Sequence, residues 1–306
     1  MNFFNLVDST VYHYCSLETF YRIISSRRLR LTNIKHFRDT KEQVLIFDFL
    51  SSYIKGKKGR EYAILRKFIK EIKTGFELPP TFAFCCSMNP KSLSQWRAYA
   101  ADGKGVAIGI NPYFIRGAIQ KNEYSSILLS LGLGPYKVLY SDSDADELAE
   151  KIVEITREII KNTGIETELA LKDTFTKKEF IRVLPSMISI IFVIYWSALF
   201  KHSDFQMEDE ARIIYTPRFS ENYKDEIITR LVNGPIKYDF MRNEIISYHE
   251  INIEESTEST KEAPFINELW LGPTCKANEE DIKVFLESYN MLGPMSKIKR
   301  FDTPYF

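Results

Sequence analysis

The segment Lys201–Tyr215, KHSDFQMEDEARIIY, sets two glutamates two residues apart where the chain changes into an apolar run. In an extended chain, residues i and i+2 share a face, so Glu208 and Glu210 would point the same way. Neighbouring negative charges raise the pKa of at least one carboxyl group, which is one way in which active sites are tuned. An isolated Glu-x-Glu is more often a solvated acidic turn, so the rest of the chain decides its interpretation.

Composition places this chain among globular proteins with a substantial core. It has 306 residues, of which 44% are hydrophobic and 14% aromatic. Its four cysteines form no Cys-x-x-Cys pair, and its first residues lack the basic flank and long apolar run of a signal peptide. We therefore expect a reduced, cytoplasmic protein without a cysteine metal site. The apolar run 184–200 is shorter than the ~20 residues that a spanning helix needs. We therefore expect a buried helix there and no membrane contact.

Positive charge is concentrated in residues 22–73, although the formal net charge is zero. This basic region holds fifteen lysines and arginines against five acids. Such an excess suits a phosphate-rich ligand, a nucleic acid or a protein acceptor. For residues 55–73 alone, a solvated lysine-rich helix face is the alternative.

The order of predicted elements indicates an α+β fold rather than a regular βαβ alternation. Period-two and compact apolar runs predict strands, and spacings of three and four predict helices. The expected strands lie near residues 11–14, 29–31, 81–87, 106–110, 212–215 and 269–271. The expected helices lie near residues 17–26, 44–53, 61–72 and 279–289. Residues 142–200 are mainly helical, so we predict one domain over 1–306 with a helical insertion there.

Three features have side chains suited to catalysis or ligand binding, and each is a weak indication of function alone. His13 lies in a predicted strand, where histidines are more often packed than functional. The segment 84–99 combines serines with Trp96 and Tyr99, which suits either a ring-binding surface or a capped helix that buries its aromatic residues. The third feature is the Glu208/Glu210 pair. Phosphate-binding loops, zinc-protease motifs and nucleophile elbows are absent from the sequence.

The order of these three features resembles that of the ADP-ribosyltransferase superfamily, in its His-Tyr-Glu branch. The resemblance implies a split-sheet core and NAD as substrate, with Glu210 as catalytic carboxylate and Glu208 orienting an acceptor. His13, with the adjacent Tyr14, would hold the NAD ribose. The resemblance leaves open whether Trp96 or Tyr99 faces the nicotinamide, and whether Ser87 or Ser94 bonds its amide or the ribose.

At closer range the chain resembles a bacterial family catalogued as domain of unknown function 2971. Short motifs spread over most of the chain carry this resemblance: 13–14, 37–42, 84–87, 94–99, 103–108, 201–212, 271–273 and 304–305. Two positions depart from the family pattern. Arg38–Glu42 replaces the usual Asn-Asp-Pro-x-Glu, and Phe205 replaces a tryptophan.

Three functions follow as hypotheses from these patterns. The first is a mono-ADP-ribosyltransferase or NAD glycohydrolase that serves as a toxin or anti-phage effector. The second is a metal-dependent nuclease, in which Asp39, Glu42 and the glutamate pair hold Mg²⁺ beside the basic region. The third is a non-catalytic immunity or sensor module whose glutamates pair with Arg38 or Arg97. Acceptor, trigger and oligomeric state stay open.

Overall fold

A computed structural model describes most of the chain. The described residues are 5–37, 42–75, 78, 80–117, 134–141, 144–163, 193, 195–216, 235–241, 243–253 and 264–304.

The described elements combine strands and helices in a mixed α/β arrangement. Seven α-helices lie within the described residues: α1 Leu17–Ser26, α2 Glu42–Tyr53, α3 Arg60–Lys73, α4 Leu93–Ala98, α5 Pro112–Gly117, α6 Ala145–Thr163 and α7 Glu279–Ser288. The strands are β1 Val11–Cys15, β2 Arg28–Asn33, β3 Phe82–Ser87, β4 Val106–Ile110, β5 Tyr136–Lys137, β6 Leu139–Tyr140, β7 Phe200–Lys201, β8 Glu210–Tyr215, β9 Lys237–Met241, β10 Glu244–Asn252, β11 Ile266–Leu271 and β12 Leu292–Arg300. Short 3₁₀ helices span Ile34–His36 and Ser203–Glu208.

Ten of these strands form one open sheet that is mostly antiparallel. Its order is β12-β11-β4-β1-β3-β2-β10-β9, with β8 paired to β3 and β5 paired to β8. Only β11 and β12 run parallel among the described pairs of this sheet. The mixed α and β content is confirmed, whereas β9, β10 and β12 were not predicted from the sequence.

The two faces of this sheet pack different layers. The α1 face carries Val11, Phe84 and Ile213, which pack with Phe20 of α1 and Leu286 of α7. The opposite face, called here the α4 face, carries Tyr12, Tyr14 and Trp270, which pack with Trp96 of α4 and with Phe301. Because successive strand residues alternate between faces, the register assigns every strand residue to one of them.

The chain divides into two compact units. The first consists of Met1–Phe37, Pro80–Val138 and Asp204–Phe306, and contains the ten-stranded sheet. The second consists of Arg38–Pro79 and Leu139–Ser203, and contains α2, α3, α6 and the parallel pair of β6 and β7. Of the predicted helical insertion at 142–200, residues 164–192 lie outside the described part. The prediction of one domain with an insertion stays a prediction.

No helix among the described residues is long and apolar enough to cross a membrane. Val193 and Tyr195–Phe200, at the end of the apolar run, are buried.

Candidate functional site

The two glutamates do not lie in one extended strand. Glu208 ends the 3₁₀ helix, and Glu210 begins β8. Asp209 between them has φ of 43°, a left-handed backbone conformation that interrupts any extended path. The predicted shared face for Glu208 and Glu210 is therefore wrong, because that prediction needs an extended chain at all three residues.

Glu210 forms a buried ion pair with Arg212. The Arg212 Nε and Nη2 atoms donate to the two Glu210 carboxylate oxygens at 2.7 and 3.0 Å. The Glu210 side chain is 6% exposed and the Arg212 side chain 1% exposed. They share the α4 face because they are two residues apart in β8, while Ala211 and Ile213 lie on the α1 face.

The Glu210 carboxylate accepts two hydrogen bonds from the Arg212 guanidinium, a two-point geometry that suits arginine and carboxylate. On the sequence, Glu42 or Asp39 is also a fair partner for Arg212, and that expectation stays a prediction. Asp39 and the side chain of Glu42 lie outside the described residues, as does Arg38. Alternation within β8 is the signal that could have revealed the pair, since residues i and i+2 of a strand are neighbours.

Glu208 is only partly buried and is held by contacts from two other elements. The Tyr99 hydroxyl donates to Glu208 Oε1 at 3.3 Å. The Ser87 hydroxyl donates to the Glu208 carbonyl at 2.8 Å, and the Met88 N–H donates to the Asp209 carbonyl at 2.7 Å. The end of β3 thus fixes the backbone of the loop, while the Glu208 side chain stays partly exposed.

Trp96 and Tyr99 have opposite environments although both follow Ser92 in or beside α4. Trp96 is 0% exposed, its indole N–H donates to the Pro90 carbonyl at 3.1 Å, and its ring stacks on Phe301. Tyr99 is 47% exposed. Of the two rings, only that of Tyr99 is therefore open to solvent.

Tyr14 is buried and holds the turn before α4, whereas Ser94 lies at the surface. The Tyr14 hydroxyl donates to the Asn89 carbonyl at 2.6 Å and accepts from the Ser92 N–H at 3.3 Å. Burial raises the pKa of Tyr14, which keeps this hydroxyl protonated. Ser94 is exposed, and its hydroxyl lies 2.9 Å from that of Ser92. Tyr14 therefore fastens the turn before α4, whereas Ser94 is open to solvent.

His13 lies on the other side of the sheet. His13 pairs with Ile108 of β4 and belongs to the α1 face. Its neighbour Tyr12 pairs with Ser87, and Ser87 pairs with Glu210, so Tyr12 and Glu210 share the α4 face. The His13 Nδ1–H donates to the Cys85 carbonyl at 2.9 Å, and the His13 ring packs on Phe84. Burial lowers the pKa of His13 to about 4, so the ring is neutral near pH 7. The structure does not bring His13 and Glu210 together.

Glycine motifs fix the end of α4, which carries Tyr99. Gly103 N–H donates to the Trp96 carbonyl and Gly105 N–H to the Ala100 carbonyl. Gly272 N–H donates to the Gly105 carbonyl at 2.9 Å, and a Cβ at Gly272 would lie 2.1 Å from the Gly103 oxygen. Only glycine allows this approach of two backbones. The motifs at 103–108 and 271–273 thus act on the position of α4.

The sequence interpretation missed a second polar cluster on the α4 face. Tyr12 and Lys299 both donate to the Glu268 carboxylate, across β1, β11 and β12. Burial opposes ionisation of Glu268, yet hydrogen bonds from Lys299 and Tyr12 bring its pKa below the usual value. The alternation of side chains along a strand would have shown that Tyr12 and His13 face opposite sides of the sheet. It would not have shown the cluster, because β11 and β12 are too distant from β1 in sequence for their pairing to be recognised.

Within the described residues, no group of three or more histidines, cysteines or acids is arranged to hold a metal ion. Asp39 and the Glu42 side chain, two of the proposed Mg²⁺ ligands, lie outside those residues. The other two are separated by environment, since Glu210 is paired with Arg212 and Glu208 is partly exposed.

Comparison with known families gives one match. Residues 95–213 match the family described as "Protein of unknown function (DUF2971)". The matched segment is less than half of the chain, but it contains Tyr99, Glu208 and the Glu210–Arg212 pair. The match supports the resemblance to this family, whose description states no activity. No curated protein and no solved structure matches the chain.

Proposed function

We propose that this chain cleaves NAD, as an ADP-ribosyltransferase or an NAD glycohydrolase, at a site formed by Glu208 and Tyr99. One observation carries the proposal: the hydroxyl of the exposed Tyr99, at the end of α4, lies 3.3 Å from the carboxylate of the partly exposed Glu208, whose loop is fastened to β3. A ring beside a fixed carboxylate offers a stacking surface for nicotinamide and a negative charge for the ribose.

Cleavage of the bond between nicotinamide and ribose needs few other groups from the protein. As nicotinamide leaves, the bond between the ribose carbon and the ring nitrogen breaks, and its electron pair neutralises the pyridinium ring. Positive charge develops on the ribose, where a preorganised carboxylate stabilises it. Water or an acceptor nucleophile then bonds to the same carbon and loses a proton. Glu208 supplies the carboxylate in this proposal.

The remaining predicted residues take positioning roles in this proposal. Glu210, bound to Arg212, holds the start of β8 and so the loop that ends in Glu208. Ser87 acts through the Glu208 carbonyl, and Tyr14 and Trp96 act through the turn that precedes α4. Ser94 is exposed enough to contact a ligand. His13 stays outside the site, because it faces the α1 layer.

A second candidate is a non-catalytic binding module, and two observations favour it. Glu210 is already neutralised by Arg212 in the core, and His13 lies on the opposite face. In that case Tyr99 and Glu208 form part of a recognition surface rather than a reaction centre.

Nicotinamide release separates the two candidates. The purified chain is incubated with NAD labelled in the nicotinamide, with and without cell extract, as wild type, Glu208→Gln and Tyr99→Ala. Glu244→Gln, which alters an exposed carboxylate of β10, is the control. The first candidate predicts release that falls by about a hundredfold in Glu208→Gln, the usual order for one electrostatic group, and is unchanged in Glu244→Gln.

No release by wild type under either condition supports the binding module instead. Release that survives in Glu208→Gln also rejects the proposed site. If NAD is consumed, a fall of cellular NAD on expression of the chain tests the role as toxin or defence effector.

A further inference from the structure

The basic region of the sequence divides between the two compact units, and its two parts differ in how their charges are used. In the first unit, the β2 arginines are paired within the sheet. Arg28 bonds Glu250 at 2.7 Å, and Arg30 bonds Asp239 at 2.6 Å. These cations stabilise the contact of β2 with the β9–β10 hairpin, so they are already used within the fold.

The second unit leaves its basic residues at the surface. Residues 55–73 hold eight lysines and arginines against two glutamates. Six of the eight cations have exposed side chains: Lys55, Lys58, Arg60, Arg66, Lys70 and Lys73. Arg66, Lys70 and Lys73 also share one face of α3, at spacings of four and three, opposite the buried Leu65 and Phe68.

Two acids of this unit form ion pairs, one with Lys73 of the α3 face and one with Arg157 of α6. Asp48 bonds Lys73 at 2.8 Å, and Glu61 bonds Arg157 at 3.0 Å. In the part of the chain that the structure describes, Lys55, Lys58 and Lys70 form no ion pair. Their positive charges are therefore available to a ligand.

The loop that joins α2 to α3 is held in a defined shape. The Arg66 guanidinium donates to the carbonyls of Ile54 and Lys57, at 3.3 and 2.9 Å. The Lys57 ammonium lies 3.3 Å from the centre of the Tyr53 ring, a cation–π contact. Since these contacts fix the loop from both ends, Lys55 and Lys58 extend from an ordered base.

We propose that this loop and the exposed face of α3 bind the phosphate backbone of a nucleic acid. The 14 residues of α3 span roughly 20 Å at 1.5 Å per residue, enough for several successive phosphates. Lysines and arginines without acidic partners suit backbone contact rather than base reading, so binding depends on charge and salt more than on sequence. This surface lies within the second unit and is independent of the proposed NAD site.

Binding of fluorescent oligonucleotides tests the proposal. Single-stranded RNA, single-stranded DNA and duplex DNA are titrated with the full chain at several salt concentrations. We expect affinity to fall with salt, with a logarithmic slope of about −3 for four contacts on a single strand. The triple variant Lys55→Ala/Lys58→Ala/Lys70→Ala should weaken binding at least about tenfold and reduce the slope by about 2.

A matched control removes three exposed lysines from the first unit, in Lys104→Ala/Lys276→Ala/Lys283→Ala. It changes net charge equally and should retain wild-type affinity. A Lys→Arg triple at 55, 58 and 70 should also retain it, which separates charge from any effect on folding. Absence of oligonucleotide binding at low salt overturns the proposal. So does equal loss in the control, or binding of anionic lipid vesicles without binding of oligonucleotides.

Discussion

Glu208 and Glu210 are two residues apart, yet the fold gives them different environments. Glu210 is locked in the core by the two-point pair with Arg212, while the Glu208 side chain stays partly exposed beside the exposed ring of Tyr99. The left-handed residue Asp209 produces this difference, because it ends the 3₁₀ helix and starts β8 in a new direction. Spacing in sequence therefore does not show which of two like residues is available for chemistry.

The largest expected effect comes from breaking the buried pair. Glu210→Gln leaves the Arg212 charge buried without its carboxylate, which should lower the free energy of unfolding by about 3–5 kcal/mol. Glu208→Gln should change it by less than about 1 kcal/mol, because that carboxylate remains partly solvated. Urea denaturation of both variants measures the difference.

A double variant checks the cause of that loss. Glu210→Met/Arg212→Met removes both charges and should recover most of the stability, since apolar replacements of buried pairs are often neutral. If Glu210→Gln is no less stable than Glu208→Gln, the two environments are not as different as their exposure indicates.

Next in size is the effect of disturbing the backbone contact behind α4. Gly272→Ala places a Cβ 2.1 Å from the Gly103 oxygen, so one backbone segment must move. We expect a loss of about 1–3 kcal/mol, typical of overpacking. Thermal unfolding measures it, with the exposed neighbour Lys276→Ala as control. Equal stability of the two variants would show that the glycine contact does not constrain α4.

An acid-dependent loss of stability should arise from His13. Its folded pKa, about 4, lies below the unfolded value near 6.5, so the unfolded chain binds more protons between these values. The stabilising contribution is complete above pH 6.5 and is lost as the pH falls towards 4. Unfolding midpoints measured over this range should fall for wild type and fall less for His13→Gln.

The same variant distinguishes the two faces of the sheet. Because His13 lies away from Glu208, His13→Gln should retain nicotinamide release at pH 7 wherever wild type shows it. If a folded His13→Gln protein selectively loses nicotinamide release, His13 takes part in the reaction after all.

The smallest expected effect on stability belongs to Tyr99→Phe. It removes a hydrogen bond at the surface, worth about 0.5 kcal/mol, and keeps the ring. Release should fall by less than in Tyr99→Ala, because stacking is preserved. A Tyr99→Phe loss as large as that of Tyr99→Ala would assign the effect to the hydroxyl rather than to the ring.

Local patterns predicted much of the fold, and long-range pairing explains what they missed. The helical spacing of apolar residues predicted α1, which Ser16 caps by accepting from the Thr19 N–H, and apolar runs marked β3, β4 and β11. By contrast, β9 has four exposed residues and β12 has no continuous apolar run, so neither shows the period of a half-buried strand. Their pairing partners determine them, and those partners are not visible in local sequence.

The residues singled out from the sequence come together in part. Ser87, Tyr99 and Glu208 are in contact with one another through Glu208, whereas the sequence favoured Glu210 and left Trp96 and Tyr99 open. Strand parity puts His13 on the α1 face, because its neighbours Tyr12 and Tyr14 belong to the α4 face. The sequence alone shows that His13 and its two neighbours face opposite sides of a strand. Which side packs against α1 and which against α4 follows only from the register of β1 with β4.

Nicotinamide release at equal folded fraction tests the central claim about the two glutamates most directly. Wild type and Glu208→Gln should have the same unfolding midpoint, and release should fall by about a hundredfold in the variant. Equal release by the two proteins, or no release by folded wild type with cell extract present, would contradict the assignment of Glu208 as the reacting carboxylate.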